Sequence, residues 1–204
     1  MSIKIRLIIM NFLQFAVWGA YLTSMGSYLV NVGLHEHIGM FYAMQGIVSL
    51  FMPAVLGIIA DRWIPAQKLL SFSHFTAALF MAAAGYYGMT KGADVDFGTL
   101  FTLYSLSVAF YMPTLALSNS VAYTALDKAG LDTIRTFPPI RIFGTIGFIC
   151  SMWVVDLLGL QNNYGQFFAC AIIGVAYGVY ALTLPECPTS KGDNAKSLVE
   201  ALGL

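Results

Sequence analysis

The chain has 204 residues, of which 58% are hydrophobic and only 10% are charged, and its mean hydropathy is +0.75. Soluble domains contain about 45–50% apolar and about 25% charged residues, so this composition excludes both a single soluble domain and a disordered chain. The formal net charge is zero, which gives a nucleic-acid partner no electrostatic support. The composition therefore predicts an all-α, polytopic protein of the lipid bilayer.

The charged residues divide the chain into uncharged stretches of the length that a membrane-spanning helix requires. Five stretches contain 22 to 30 residues, and about 20 apolar residues cross a bilayer. A sixth stretch, between Arg141 and Asp156, contains 14 residues. We predict six transmembrane helices near residues 7–31, 38–60, 68–90, 97–124, 138–158 and 164–184.

The fifth predicted helix is short for a span. Fourteen helical residues extend about 21 Å, whereas the hydrocarbon core is about 30 Å thick, so either this segment is not a span or at least one flanking charge lies inside the membrane boundary. The apolar run at residues 142–149 nevertheless favours a span. Pro138 and Pro139 are predicted to open this helix, because proline is tolerated in the first turn.

The basic residues predict the orientation of the chain. Nine of the ten lysines and arginines fall on one side of the predicted helices, and only Lys91 falls on the other. Cytoplasmic loops carry the excess of basic residues, so both termini are predicted to be cytoplasmic. Residues 1–184 are predicted to form the six-helix bundle, and the polar residues 185–204 a cytoplasmic linker.

The sequence contains no set of side chains typical of catalysis or metal binding. It has no Ser/His/Asp arrangement, no paired intramembrane carboxylates and no metal-ligand cluster. The spacing of Cys150, Cys170 and Cys187 matches no zinc or redox motif. We therefore predict that the protein is not an enzyme and binds no metal or organic cofactor.

Three side chains of the fifth predicted helix share one face. Arg141, Thr145 and Phe148 are spaced i, i+4 and i+7, and a neighbouring stripe of Gly144, Gly147 and Ser151 is suited to close helix packing. An arginine inside the membrane marks a binding site or a pore by default. An arginine near a helix end also snorkels to the interface, and the spacing alone leaves both interpretations open.

The end of the second predicted helix carries a Gly-x-x-x-Asp-Arg motif. Gly57 lies one turn before Asp61 and Arg62, where a small residue allows two helices to approach closely. The motif resembles the loop signature of the major facilitator superfamily, in which it acts as a conformational latch. Only Lys68 continues the basic part of that signature here. A plain topology-setting loop charge is the alternative interpretation.

A longer resemblance runs in order over nearly the whole chain. The sequence FPPIRIFGTIGFI at 137–149 resembles the nucleoside–proton symporter family of the major facilitator superfamily, as do the stretches at 11–15, 18–19, 26–28, 51–54, 111–115 and 182–185. The resemblance implies nucleoside uptake by proton symport with alternating access, in the cytoplasmic (inner) membrane. It also implies that this chain is the amino-terminal half of a fold whose partner is a C-terminal six-helix half.

The resemblance assigns roles on the fifth helix. It implies that Arg141 and Thr145 hydrogen-bond the nucleoside and that Phe148 contacts the base. Thr136 departs from the family pattern, in which an acidic residue is expected before the Phe-Pro-Pro. Gln14 and Asn119 are secondary candidates for substrate binding, because helices one and four usually line the cavity in this fold.

The remaining predictions concern coupling and alternatives. All ten acidic residues lie at or beyond predicted helix ends, so the resemblance locates the proton-carrying acid in the other half. The chain is expected to stop inside the linker between the halves. One alternative is a symporter of the same fold for a sugar or other polar solute. Another is a non-transporting membrane interaction module, although no loop is long enough to form a large extramembrane surface.

Overall fold

A computed structural model describes residues 2–189, which fold into eight α-helices and one 3₁₀ turn at His35–His37. No strand occurs in this range. Residues 190–204, most of the predicted linker, lie outside the described residues. The helices are α1 (Ile3–Gly19), α2 (Met25–Asn31), α3 (Ile38–Arg62), α4 (Ala66–Lys91), α5 (Phe97–Tyr111), α6 (Thr114–Lys128), α7 (Thr133–Leu157) and α8 (Gly165–Ala181).

The first predicted span consists of two helices, and the prediction of one continuous helix at 7–31 is wrong. Turns at residues 20–24 separate α1 from α2. The Tyr42 hydroxyl donates to the Leu22 carbonyl at 2.8 Å, and the Ser24 hydroxyl donates to Gln166 Oε1 at 2.9 Å. Backbone that leaves a helix inside a membrane needs such protein partners. The break therefore depends on side chains of distant segments.

The fourth predicted span is also divided, and the prediction of one helix at 97–124 is wrong. Helix α5 ends at Tyr111 and α6 begins at Thr114. Pro113 has no N–H, so the Ala109 carbonyl one turn earlier has no donor at that position. The Thr114 hydroxyl donates to the Tyr111 carbonyl and closes the turn. Pro113 itself was the signal for this break.

Helix α7 begins five residues before Pro138, so the prediction that the prolines open it is wrong. The Asp132 carboxylate accepts hydrogen bonds from the amides of Ile134 and Arg135, at 2.9 and 3.2 Å. An aspartate at this position satisfies amides that have no partner in the first turn. Pro138 and Pro139 lie in the second turn on an exposed face, where water can satisfy the carbonyls that lack helical donors.

Length and composition identify fewer spans than the six predicted. Among residues 2–189, four helical segments are long and apolar enough to cross a membrane, namely His35–Arg62, Ala66–Lys91, Phe97–Lys128 and Thr133–Leu157. Helices α1 and α8 have 17 residues each, which is about 25 Å of helix. The count of six therefore remains a prediction.

Glycines hold two helix pairs in close contact. A Cβ added at Gly147 of α7 would collide with the Phe12 backbone of α1, and one added at Gly19 would collide with the Phe148 backbone. Gly144, Gly147 and Ser151 are all buried, so the predicted packing stripe on α7 is confirmed. In the second pair, the Ser71 hydroxyl of α4 donates to the Gly178 carbonyl of α8 at 2.7 Å.

The buried apolar side chains form two clusters. One contains Tyr21, Phe41, Tyr104 and Phe167. The second lies where several helix ends meet, and it includes Ala60, Ala66, Leu126 and Cys187. The basic residues in and beside the described loops therefore lie at this same end of the bundle. The exception is Lys91, which lies at the other end of α4.

Candidate functional site

Helix α7 carries the three side chains that the sequence analysis selected. Asp132 sets the start of the helix, and the buried glycines hold its inner face against α1. Arg141 and Phe148 are half-buried beside this contact, and Thr145 is exposed. The structure thus brings all three to the edge of the α1–α7 interface.

The Arg141 side chain turns toward α1. Its guanidinium carbon lies 3.8 Å from the centroid of the Phe15 ring. A cation over an aromatic face is attracted by the ring quadrupole, and this attraction grows when the pair is desolvated. The contact anchors the guanidinium on protein, while its several N–H groups remain able to donate to another partner.

Phe148 belongs to an aromatic wall that α1 and α7 share. Its ring meets Trp18 edge-to-face, with centroids 6.2 Å apart and an interplanar angle of 89°. Trp18 also contacts Phe15 at 6.2 Å and Tyr111 at 6.5 Å. Offset and edge-to-face contacts of this kind are the favoured aromatic geometries. We call Phe15, Trp18 and Phe148 the aromatic wall.

Trp18 is held from behind by two polar side chains. The indole Nε1–H donates to Gln45 Oε1 of α3 at 2.8 Å, and Gln45 Nε2 donates to the Tyr104 hydroxyl of α5 at 2.8 Å. Gln45 and Tyr104 are both buried. These two hydrogen bonds therefore connect Trp18 of the wall, on α1, to helices α3 and α5.

Gln14 lies inside the bundle and has no exposed surface. Its Nε2 donates to the Thr114 hydroxyl at 2.8 Å, its Oε1 is 3.3 Å from His74 Nε2, and its carbonyl accepts from the Tyr111 hydroxyl at 2.7 Å. In this geometry, protein groups occupy both ends of the amide. Asn119, by contrast, is half-buried on α6.

Three side chains of this arrangement were missed as site residues by the sequence analysis: Phe15, Trp18 and Gln45. The spacing of Phe15 and Trp18 places them on one face of a helix, and both occur in stretches that carry the family resemblance. Spacing within α1 does not identify the helix that this face contacts. The sequence therefore indicates which residues share a face of α1, but it does not indicate that this face contacts α7.

Comparison with known proteins identifies the family to which this chain belongs. The profile of the family described as "Nucleoside H+ symporter" matches residues 1–204. The chain belongs to the nucleoside H+ symporter family. It is a multi-pass membrane protein, since its relatives are membrane transporters and several of its helices are long and apolar.

Relatives of this family member are similar over its full length. It is 41% identical over 209 residues to the xanthosine permease of Escherichia coli (strain K12), and 40% identical over 208 residues to the nucleoside permease NupG of the same organism. Each match covers 100% of this chain and 48% of the relative. The chain therefore spans about half the length of these relatives.

Solved structures agree with the fold. A crystal structure of the nucleoside transporter NupG superposes with a TM-score of 0.86 at 38% identity, covering 100% of this chain and 49% of that one. A mutant of NupG gives a TM-score of 0.90 at 37% identity, covering 99% and 49%. The helical arrangement described above is thus similar to that of about half a NupG molecule.

The superfamily motif lies at the end of α3. Gly57 is half-buried, Asp61 is exposed, and both precede the half-buried Arg62 at the last helical position. A Cβ added at Gly57 would meet no atom of the described residues within 4 Å. The close helix approach predicted at Gly57 is therefore absent from residues 2–189, because this face of α3 is open.

The acidic side chains lie away from the wall. All eight acids within residues 2–189 are exposed: Glu36, Asp61, Asp94, Asp96, Asp127, Asp132, Asp156 and Glu186. Asp156, near the end of α7, accepts a hydrogen bond from Gln161 in the following loop. All eight lie at helix ends or in the connections between helices, whereas a carboxylate that carries a proton through a membrane lies within a spanning segment.

Proposed function

We propose that this chain forms the amino-terminal, six-span half of a nucleoside–proton symporter of the cytoplasmic (inner) membrane, with both termini in the cytoplasm. Residues 1–184 form the bundle, and residues 185–204 lead to a C-terminal six-helix half. Family membership supports nucleoside transport coupled to protons. The half-length match to the relatives supports the division into two halves. Transport proceeds by rocking of the halves around a central site.

The observation that carries the proposal is the edge of α7 beside the aromatic wall. A nucleoside presents ribose hydroxyls, base carbonyls and a flat π face. Arg141 supplies donors from a guanidinium anchored on Phe15, Thr145 supplies an exposed hydroxyl, and Phe148 supplies an aromatic surface. Asn119 of α6 is proposed as a further hydrogen-bonding group.

Six spans follow if each divided pair crosses the membrane as one unit. Helix α1 with α2, and α5 with α6, then join α3, α4, α7 and α8. The breaks support this grouping, because a side-chain hydroxyl satisfies a backbone carbonyl at each of them: Tyr42 donates to Leu22, and Thr114 donates to Tyr111. For Gln14 we propose a supporting role behind the wall, since its amide is already bonded to Thr114 and His74.

The coupling ion is a proton, and we propose that its carrier acid belongs to the C-terminal half. The position of every described acid at a helix end or in a connection supports this assignment. We further propose that Gly57, Asp61 and Arg62 form a conformational latch. The open face beside Gly57 supports this role, because it leaves room for a helix of the other half.

The experiment compares two arginine variants in the complete transporter. Arg141→Ala removes the guanidinium beside the wall, whereas Arg135→Ala removes one that is 90% exposed at the start of the same helix. Removing a charge-assisted hydrogen-bonding group costs about 1.5–3 kcal/mol, so the dissociation constant of uridine should rise about 10- to 150-fold for Arg141→Ala only. Uridine binding to purified protein in detergent is the measurement.

Competition by adenosine and by hexoses completes the test. Unchanged uridine affinity in a folded Arg141→Ala protein would remove Arg141 from the site. Competition by a hexose, without competition by nucleosides, would replace the proposal with a sugar symporter of the same fold.

A further inference from the structure

The aromatic wall contains a corner between two rings. Trp18 and Phe148 stand at 89° to one another, and both are half-buried at the edge where Thr145 is exposed. A planar base that stacks on one of these rings directs its edge toward the other. Both contacts are favoured aromatic arrangements: the stacked contact is offset, and in the edge contact the negative face of one ring attracts the positive edge of the other.

The polar atom of Trp18 is not available to a ligand. The indole N–H is a donor only, and it donates to Gln45 Oε1. This requirement also determines the Gln45 amide orientation, since Oε1 must face the indole and Nε2 must face Tyr104. Trp18 can thus offer a ligand only its ring surface.

The same bonds fix the angle of that surface. A half-buried tryptophan can turn about two side-chain torsions, and this freedom is lost when its N–H is held by a buried group. Gln45 is buried, and it is itself held by Tyr104, which belongs to the core cluster that contains Tyr21 and Phe41. The ring is therefore preorganised before any ligand arrives, which lowers the entropic cost of binding.

We propose that Trp18 is a second base-contacting side chain, and that Gln45 is the positioning residue that sets its ring against Phe148. The proposal rests on the proposed function and extends it, since it assigns recognition of the base to two perpendicular rings on α1 and α7. Arg141 and Thr145 then hydrogen-bond to the polar groups of the nucleoside. Gln45 acts through Trp18 and does not touch the substrate.

Three variants of the complete transporter test the assignment. Trp18→Ala removes the surface, Gln45→Met removes the acceptor, and Tyr104→Phe removes only the hydroxyl that holds Gln45. Ser107→Ala is the matched control, because it also deletes one buried bond between helices, to the Ala77 carbonyl, outside the wall. Thermal unfolding in detergent establishes that each variant is folded.

Equilibrium binding of uridine and adenosine, together with transport kinetics, gives the expected results. Contact between a base and an aromatic side chain contributes about 1–3 kcal/mol, so Trp18→Ala should raise Kd about 5-fold to 150-fold. Gln45→Met should raise KM for transport at least about threefold, with an unchanged maximal rate, because the Trp18 ring remains present but is no longer held in position. Tyr104→Phe should follow in the same direction with a smaller change, and Ser107→Ala should match the parent.

Tryptophan fluorescence provides a readout that a merely structural role would not move. Nucleoside-induced quenching should decrease in Trp18→Phe relative to the parent protein. Unchanged Kd in folded Trp18→Ala, or unchanged KM in both folded Gln45→Met and folded Tyr104→Phe, would overturn the inference while leaving the transporter assignment intact. Absence of nucleoside binding by the parent protein would instead defeat the proposed function itself.

Discussion

Gln14 shows how one polar side chain connects several membrane helices. Its side chain and carbonyl bond to groups of α4, α5 and α6, and none of the participating side chains has appreciable exposed surface. Because an apolar surrounding offers no substitute partners, each group depends on the others. The residue therefore contributes to stability regardless of whether a nucleoside is bound.

We predict that Gln14→Leu lowers the free energy of unfolding by about 1–2 kcal/mol, because it leaves the His74 N–H without a buried acceptor. Thermal and denaturant unfolding in detergent measure the change. The control is Asn31→Leu, which deletes an exposed amide bonded to the Asn162 carbonyl and should alter stability by less than about 0.5 kcal/mol.

The two variants also test the role of Gln14. A stable Gln14→Leu protein with weakened uridine binding would contradict the supporting role and make Gln14 a direct ligand. Loss of stability with retained affinity agrees with its position behind the wall.

At the scale of the elements, the contact between α1 and α7 positions the candidate site. Gly147 and Gly19 bring the two backbones together, and Gly144 makes room for the Phe15 ring. The side chains at the edge of this contact form the aromatic wall. Any change in the separation of the helices thus moves Phe148 relative to Trp18. Small residues at membrane helix interfaces act in this way, since close backbone packing replaces the hydrophobic drive that lipid does not provide.

We predict that Gly147→Ala destabilises the bundle by about 1–3 kcal/mol, because the added methyl group must displace the Phe12 backbone. Gly46→Ala on α3 is the matched control, since no atom of the described residues lies within 4 Å of its added Cβ. The control should retain or slightly raise the unfolding temperature, because alanine favours a helix over glycine. Equal unfolding temperatures for the two variants would contradict close packing of α1 on α7.

At the scale of the whole molecule, the charge distribution and the fold both distinguish two ends of the helical bundle. Lys128 at the end of α6 donates to the Glu186 carbonyl after α8, and the Tyr180 hydroxyl donates to the Arg6 carbonyl. These contacts join basic segments that are distant in the sequence. Lys91, Asp94 and Asp96 lie together in the α4–α5 connection. The positive-inside rule predicts that the first end is cytoplasmic.

We predict opposite labelling of two cysteine variants in intact cells. In a background without other cysteines, Asp94→Cys should react with a membrane-impermeant maleimide from outside, and Lys68→Cys should react only after permeabilisation. Both positions are exposed, so access depends on the side of the membrane. The native Cys187 is a poor reporter, because burial raises the pKa of its thiol and the thiolate is the reactive form. Labelling of Lys68→Cys from outside would reverse the proposed orientation.

Features that belong to one helix could be predicted from the sequence. Charge spacing located the apolar segments, and the i, i+4, i+7 pattern placed Arg141, Thr145 and Phe148 on one face. The prolines were harder to interpret. Pro113 divides a span that was predicted to be continuous, whereas Pro138 and Pro139 lie inside α7, because Asp132 starts that helix earlier. A local residue type suggests a break, but its neighbours decide where the helix ends.

By itself, the sequence determined the membrane class, the approximate segments, the charge asymmetry and the resemblance to a nucleoside–proton symporter. Only the tertiary structure decided that Arg141 lies over Phe15, that Gln45 holds Trp18, and that Gln14 is occupied inside the bundle. The physical reason is that helical periodicity specifies which side chains share a face, whereas hydrogen bonds and ring contacts depend on the separation and register of different helices. The glycines on α1 and α7 establish that register.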